Sequence, residues 1–167
     1  MPLTKKQIKD RGTRFETEYS LSLKQLPNAI SYRMKNGYAA DEFDYLTLFS
    51  WGNVAAETKR CGHQFGFTNI SDKQLFGLIE FQKKLPTNIG IVPINFKSLP
   101  GDGAFNELYL IPVTDLAKCM LAAKHQYLDL ETCRAGFGVP VKRVKFENKA
   151  YGWDLSNAWP YNREVGK

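Results

Sequence analysis

Three residues near the middle of the chain have the types and spacing suited to phosphodiester hydrolysis. Asp44 is followed thirteen positions later by Glu57, and Lys59 lies two residues beyond Glu57. Converging carboxylates supply the hard oxygen ligands that Mg²⁺ or Mn²⁺ prefers, and the backbone carbonyl of Thr58 is a further candidate ligand. Lys59 would orient the attacking hydroxide or stabilise charge in the transition state. The pattern predicts a metal-dependent nuclease centre; the alternative is a surface ion pair between Glu57 and Lys59.

A β-hairpin is needed to bring these residues together. The aromatic and branched residues Tyr45–Phe49 predict one strand, residues 50–53 a tight turn, and residues 54–61 a second, antiparallel strand. Asp44 then opens the first strand and folds back toward Glu57. Residues two apart on a strand project from the same face, so Glu57 and Lys59 are expected to point together.

The flanking patterns predict an α/β sandwich in one domain, residues 1–167. A helix is expected from residue 4, with Thr4 as N-cap, to about residue 26, and another from Ser71 to Lys84. Residues 61–69 are expected to form a loop. Strands are predicted over 89–96 and 107–113, with Pro93 indicating an edge strand or a bulge, and Thr114 is predicted to cap a third helix.

The charge distribution favours a polyanionic partner. The net charge is +6, and basic residues crowd the N-terminus and recur at Lys142, Arg143 and Lys145. If the fold brings the two clusters to one face, they would flank a DNA groove. The candidate DNA-binding residues are Lys5, Lys9, Arg11, Arg14, Arg33, Lys35 and Arg60.

Cysteine usage and hydropathy point to the cytoplasm. The chain has three cysteines and no Cys-x-x-Cys pair, so neither a disulfide framework nor a zinc ribbon is expected. No apolar stretch approaches the length that spans a bilayer, and no membrane partner is expected.

An ordered set of five short motifs resembles the RecU-type Holliday junction resolvases. The resemblance extends over residues 8–120. The motifs are Arg11-Gly12-x-x-Phe15-Glu16, Asp44-Tyr45, Glu57-x-Lys59, Ile70-x-x-x-Gln74 and Tyr109-Leu110-Ile111-Pro112.

This resemblance implies a restriction-endonuclease-like PD-(D/E)xK core, in which helices flank a mixed β-sheet. It also implies a homodimer that cuts four-way DNA junctions symmetrically with Mg²⁺. Asp44 and Glu57 would be metal ligands and Lys59 the catalytic lysine. Gln74 would lie near the metal water or the phosphate, and either Glu16 or Arg14 of the first helix would complete the site.

Other features leave alternatives open. By the same resemblance, residues 33–43 would occupy the place of the family's protruding stalk, and Asp41 within them is a rival to Asp44 as a ligand. Residues 125–167 would form a C-terminal extension packed on the core. The source could be a bacterium or a phage. The competing functions are a restriction-like endonuclease acting on linear duplex DNA and a catalytically inactive, architectural DNA-binding protein.

Overall fold

The computed structural model describes residues 4–34, 42–99 and 103–163. Two single-turn 3₁₀ helices, Phe67–Asn69 and Leu155–Asn157, accompany the main elements. In chain order these are α1 (Lys5–Leu23), β1 (Ala29–Arg33), β2 (Tyr45–Phe49), β3 (Gly52–Ala56), β4 (Lys59–Cys61), β5 (Gln64–Gly66), α2 (Asp72–Lys84), β6 (Asn88–Lys97), β7 (Asn106–Pro112), α3 (Val113–Ala122), β8 (Tyr127–Asp129), α4 (Leu130–Arg134), β9 (Val139–Val141), β10 (Arg143–Lys145) and β11 (Tyr151–Trp153).

Seven strands form one mixed sheet. Its order is β1-β2-β3-β6-β7-β9, and β4 pairs with β6 beyond the end of β3. The β2–β3 pair is the predicted antiparallel hairpin, whereas β3 and β4 both run parallel to β6. Helices pack on the sheet through the two cores described next, which confirms the predicted mixed sheet flanked by helices.

Two hydrophobic cores lie on opposite faces of the sheet. One core packs α1, through Phe15, Tyr19 and Leu23, against inward-facing strand residues. Part of the C-terminal segment joins it: Trp153 is buried, and the hydroxyls of Tyr19 and Tyr161 are 2.7 Å apart. The other core packs α2 and α3 against alternate residues of β6 and β7. The period-two alternation along the strands separates these two sets of side chains.

Both predicted N-caps at the starts of α1 and α2 are confirmed. Thr4 forms a capping box with Gln7, and Ser71 forms one with Gln74. In each box the hydroxyl of the cap residue accepts a hydrogen bond from the backbone N–H of the glutamine three residues later. The side chain of that glutamine in turn accepts a hydrogen bond from the backbone N–H of the cap residue. The second box places Gln74 in the first turn of α2, at the end that faces the hairpin.

Several local predictions are wrong. Pro93 lies in β6, the central strand, and not at an edge or bulge. The predicted strand over 54–61 is broken at Glu57 and Thr58, and the registers on either side place Thr58 opposite Pro93. The parallel ladder is interrupted at that point, so the missing proline N–H is tolerated there.

Two further boundaries differ from expectation. The predicted loop over 61–69 contains β5 and a 3₁₀ turn, because β5 pairs with β8, some sixty residues later in the chain. The third helix begins at Val113 after Pro112, without a side-chain cap, so Thr114 is inside the helix and does not cap it.

Most of the predicted stalk, residues 35–41 with Lys35 and Asp41, lies outside the described residues. Within the described part of the chain, no helix has the length and apolar character required to cross a membrane.

Candidate active site

Asp44 is held where three strands meet. It directly precedes β2, and its backbone N–H donates to the carbonyl of Ala56 at 2.9 Å, which extends the β2–β3 pairing by one residue. Its own carbonyl accepts the N–H of Met34 at 2.8 Å, which extends the β1–β2 pairing in the same way. The backbone of Asp44 is therefore anchored on both sides by main-chain hydrogen bonds.

The break between β3 and β4 brings Thr58 to the Asp44 carboxylate. The backbone N–H of Thr58 donates to Oδ2 of Asp44 at 2.8 Å, and the Thr58 hydroxyl donates to the same oxygen at 2.6 Å. The N–H of Glu57 remains bonded to the carbonyl of Ile91 at 3.2 Å. The interruption thus turns the Thr58 N–H away from the sheet and onto a carboxylate, a role for this threonine that the sequence patterns did not indicate.

Lys59, Glu57 and Gln74 form a closed triangle of polar contacts. The Lys59 ammonium is 2.8 Å from Oε1 of Glu57, and it donates to Oε1 of Gln74 at 3.1 Å. The Gln74 amide nitrogen donates to Oε1 of Glu57. The predicted proximity of Glu57 and Lys59 is observed, although the strand that was expected to produce it is broken between them.

The environment of Glu57 disfavours its charge. Only 3% of the residue is exposed, and burial raises the pKa of its carboxyl to about 7, with the nearby Asp44 carboxylate raising it further and Lys59 opposing the shift. Desolvation and like-charge repulsion both act against an anion in this position. A buried carboxyl with a raised pKa beside a second carboxylate is a common property of functional sites.

Glu16 is the residue of α1 that faces this centre. Burial raises the pKa of its carboxyl, the Asp44 charge raises it further, and both Arg33 and Lys59 lower it. Its side chain forms an ion pair with Arg33, and its carbonyl accepts the Tyr45 hydroxyl at 3.0 Å. Arg14, the alternative candidate on this helix, instead pairs with Glu18 at 3.6 Å. Of the two, Glu16 is the one that interacts electrostatically with Asp44.

The oxygen donors suit a hard cation that also takes ligands from its substrate. Within the described residues, no three Asp, Glu, His or Cys side chains form a metal-binding group. The bonds given above occupy Oδ2 of Asp44 and Oε1 of Glu57, and no described residue donates to Oδ1 of Asp44 or to Oε2 of Glu57. Two carboxylates that each keep one oxygen without a donor in the described part of the chain suit Mg²⁺, which often takes its other ligands from water and phosphate.

The predicted DNA-binding residues fall into separate groups. Lys5 and Lys9 lie exposed in the first turns of α1, and Arg33 pairs with Glu16 beside the carboxylates. Arg11 and Arg60 contact one another on the α1 side of β4, where Arg60 donates to the carbonyl of Arg11 at 2.7 Å.

Comparisons with known proteins bear on the fold. No protein-family model and no curated protein sequence matches the chain. Among solved structures, it is similar to Hjc of Archaeoglobus fulgidus, described as a Holliday junction resolvase from an archaeal hyperthermophile. The TM-score is 0.50 at 18% sequence identity, over 76% of this chain and 95% of that chain. At this identity the likeness concerns the fold, and it confirms the predicted restriction-endonuclease-like α/β core.

Proposed function

We propose that this protein is a Mg²⁺-dependent endonuclease that resolves four-way DNA junctions. The observation that carries the proposal is the pairing of two carboxylates at the ends of neighbouring strands, with a lysine ammonium in contact with one of them. Buried like charges destabilise a fold unless they are used or compensated, so this arrangement favours a catalytic role over a structural one.

Each residue of the centre has a distinct task. Asp44 and Glu57 would hold the metal, with the Thr58 carbonyl as a further ligand, and Glu16 would add negative charge from α1. The two hydrogen bonds from Thr58 orient the Asp44 carboxylate. When bound, Mg²⁺ would lower the pKa of an attacking water and neutralise charge on the scissile phosphate. Lys59 would stabilise the phosphate's developing negative charge.

Gln74 is proposed as a positioning residue. Its amide contacts both Lys59 and Glu57, and its carbonyl oxygen also accepts the N–H of Ser71 at the start of α2. The helix terminus therefore fixes the side chain that in turn holds the lysine against the carboxylate. Such support keeps catalytic groups within the narrow geometry that the reaction requires.

Two similarities support DNA junctions as the substrate. The five sequence motifs resemble those of RecU-type junction resolvases. The fold resembles that of Hjc, a Holliday junction resolvase. The net charge of +6 is consistent with a partner rich in phosphates. Selectivity for a junction would arise from its shape and phosphate spacing, because those features distinguish it from linear duplex.

A homodimer is proposed through the outer strand β1. Ile30, Tyr32 and Met34 are exposed at 59%, 51% and 37%, and their alternation places them on one face. Among the described strands, β1 pairs only with β2, so its other edge has no strand partner. An apolar edge of this kind favours association with a second copy, and a two-fold dimer would place two active sites on a two-fold symmetric junction.

The decisive experiment compares a labelled four-way junction with a linear duplex of matched sequence, each with Mg²⁺ or with EDTA. We expect symmetric nicks in the junction with Mg²⁺ and none with EDTA. Asp44→Asn should bind the junction without cutting it. Equal cutting of both substrates would instead indicate a general restriction-like nuclease. Binding without cutting by the unmodified protein would indicate an architectural DNA-binding protein.

A further inference from the structure

A second charged group of residues lies on the α1 side of β4 and is called here the Glu18 cluster. Glu18 is 6% exposed, and two arginines approach its Oε1: Arg143 at 3.2 Å and Arg14 at 3.6 Å. Arg60 and Lys97 lie close enough to interact electrostatically with Glu18 and with one another. The complete cluster is Glu18 with Arg11, Arg14, Arg60, Lys97 and Arg143.

The cluster has a large excess of positive charge. Five cations surround one carboxylate, and they are close enough to repel each other. Burial lowers the pKa of Arg60 to about 10, with Glu18 opposing the shift and Arg11, Arg14 and Arg143 adding to it. Burial and neighbouring arginines likewise lower the pKa of Lys97. An anion among these side chains would relieve the repulsion that they impose on one another.

Several hydrogen-bond donors in the cluster are buried and unpaired. Nε and Nη2 of Arg60 and Nη1 of Arg143 have no partner among the described residues. Oε2 of Glu18 also lacks one, so the carboxylate does not satisfy these donors. Buried donors without partners are uncommon in folded proteins and are costly. The side chains of Arg14 and Arg143 are 67% and 24% exposed, so their guanidinium groups can reach phosphate oxygens, which accept two parallel N–H bonds from one arginine.

Three of the four arginine side chains in the cluster are held by their surroundings. The Arg143 guanidinium lies over the rings of Tyr151 at 5.0 Å and Trp153 at 5.5 Å. Arg11 donates to the carbonyl of Lys97 at 2.9 Å, and Arg60 donates to the carbonyl of Arg11. Side chains held in this way lose little conformational entropy when a ligand binds.

A groove beside β4 is lined by residues of both the cluster and the candidate active site. It is a cavity of about 350 Å³ between α1 and β4, and its walls include Arg11 and Arg60 of the cluster together with Thr58 and Lys59. Lys59 and Arg60 are consecutive in β4, so their side chains point to opposite faces of the strand. Among the described strands, β4 pairs only with β6, which leaves its edge along the groove without a strand partner.

We propose that the Glu18 cluster binds a backbone phosphate of the DNA strand that reaches the active site along this groove. The inference rests on the proposed nuclease function and deepens it. Lys97 and Arg143 thereby join Arg11, Arg14 and Arg60 as DNA contacts, and Glu18 keeps the arginines oriented. The contact is to phosphate only, so it does not depend on base sequence.

The test measures binding of a fluorescent four-way junction and of a linear duplex in EDTA, where no cutting occurs, over a series of salt concentrations. The first variant is Lys97→Gln, because the hydrogen bond from Arg11 goes to the Lys97 backbone and survives the change. Arg143→Lys and Arg143→Gln form a second pair of variants. Lysine keeps the positive charge but loses the two parallel N–H donors of the guanidinium group, whereas glutamine loses the charge as well. The control is Lys118→Gln, the same loss of charge at an exposed position of α3, on the other face of the sheet.

We expect Lys97→Gln and Arg143→Gln each to weaken binding to both DNAs and to reduce the slope of log K against log salt by about 1. Arg143→Lys should keep the slope and weaken binding. A slope for Lys97→Gln and Arg143→Gln equal to that of Lys118→Gln would overturn the phosphate site. That result would leave the nuclease proposal intact if the unmodified protein still cuts the junction. If instead the unmodified protein does not cut, but both variants reduce the slope by about 1, only the nuclease proposal is refuted.

Discussion

Replacing Glu57 with glutamine should stabilise the metal-free protein at neutral pH while removing its activity. Glu57 is 3% exposed and lies next to the Asp44 carboxylate, so its ionisation is opposed in the folded state. Glutamine has the same shape as glutamate, and it keeps a carbonyl oxygen that can accept the hydrogen bonds from Lys59 and Gln74. It removes the charge, so it removes both the desolvation cost and the repulsion from Asp44.

The size of the effect follows from the pKa of Glu57. This pKa rises from 4.5 to about 7 on folding. A group whose pKa is raised in the folded state gives its full stability below the unfolded value and loses it as pH rises through the folded value. Metal-free wild type should therefore lose about 3 kcal/mol between pH about 4.5 and pH about 8 through this group alone. Glu57→Gln does not titrate and should not show this loss.

The assay is urea unfolding of both proteins in EDTA across that pH range, and the quantity of interest is the difference in unfolding free energy between them. Titrating groups remote from Glu57 contribute equally to both proteins and cancel from this difference. We expect the two proteins to be similar near pH 4.5, and the variant to become more stable by about 3 kcal/mol at the alkaline end. Glu147→Gln, an exposed position, serves as the matched control and should show no such divergence.

A difference that stays constant with pH, or that falls as pH rises, would refute the reasoning. It would mean that Glu57 is not a destabilised carboxylate in the folded protein. Loss of junction cleavage together with gain of stability would in turn identify Glu57 as a residue kept for function at the expense of stability.

Three further outcomes are expected. Mg²⁺ should raise the thermal unfolding midpoint of the wild type by mass action and should fail to do so in Asp44→Asn; an equal rise in both would place the metal elsewhere. Gln74→Ala and Ser71→Ala each remove half of the same capping box, at a cost of about 1 kcal/mol in stability. Gln74→Ala should slow cleavage much more than Ser71→Ala, because Gln74 contacts Lys59 and Glu57. Equal cleavage rates for the two variants would show that Gln74 acts only on the helix. In analytical ultracentrifugation, Tyr32→Ser should weaken dimer formation, whereas Leu121→Ser, at another exposed apolar position, should leave it unchanged. Unchanged dimer formation in both variants would exclude β1 as the interface.

The sequence alone was sufficient for the features that depend on neighbours along the chain. Asp44 and Glu57 are joined by a short hairpin, and the strand pattern of Tyr45–Phe49 together with a tight turn predicts their approach. The N-caps Thr4 and Ser71 follow from residue type and a three-residue spacing. These features are determined by local geometry, so a sequence pattern can encode them.

Tertiary structure alone decided which distant residues meet. Pro93 is tolerated in the central strand because it lies opposite the break at Thr58. The sequence of one strand does not show which residues of a neighbouring strand lie opposite it. Arg143 reaches Glu18 across 125 positions of sequence, and Gln74 reaches Glu57 only because α2 packs beside the sheet. Such contacts depend on how whole elements pack, and packing is set by the summed burial of many side chains. Residue types and spacings therefore predicted the candidate chemistry, whereas the packing of the sheet determined the surroundings of that chemistry.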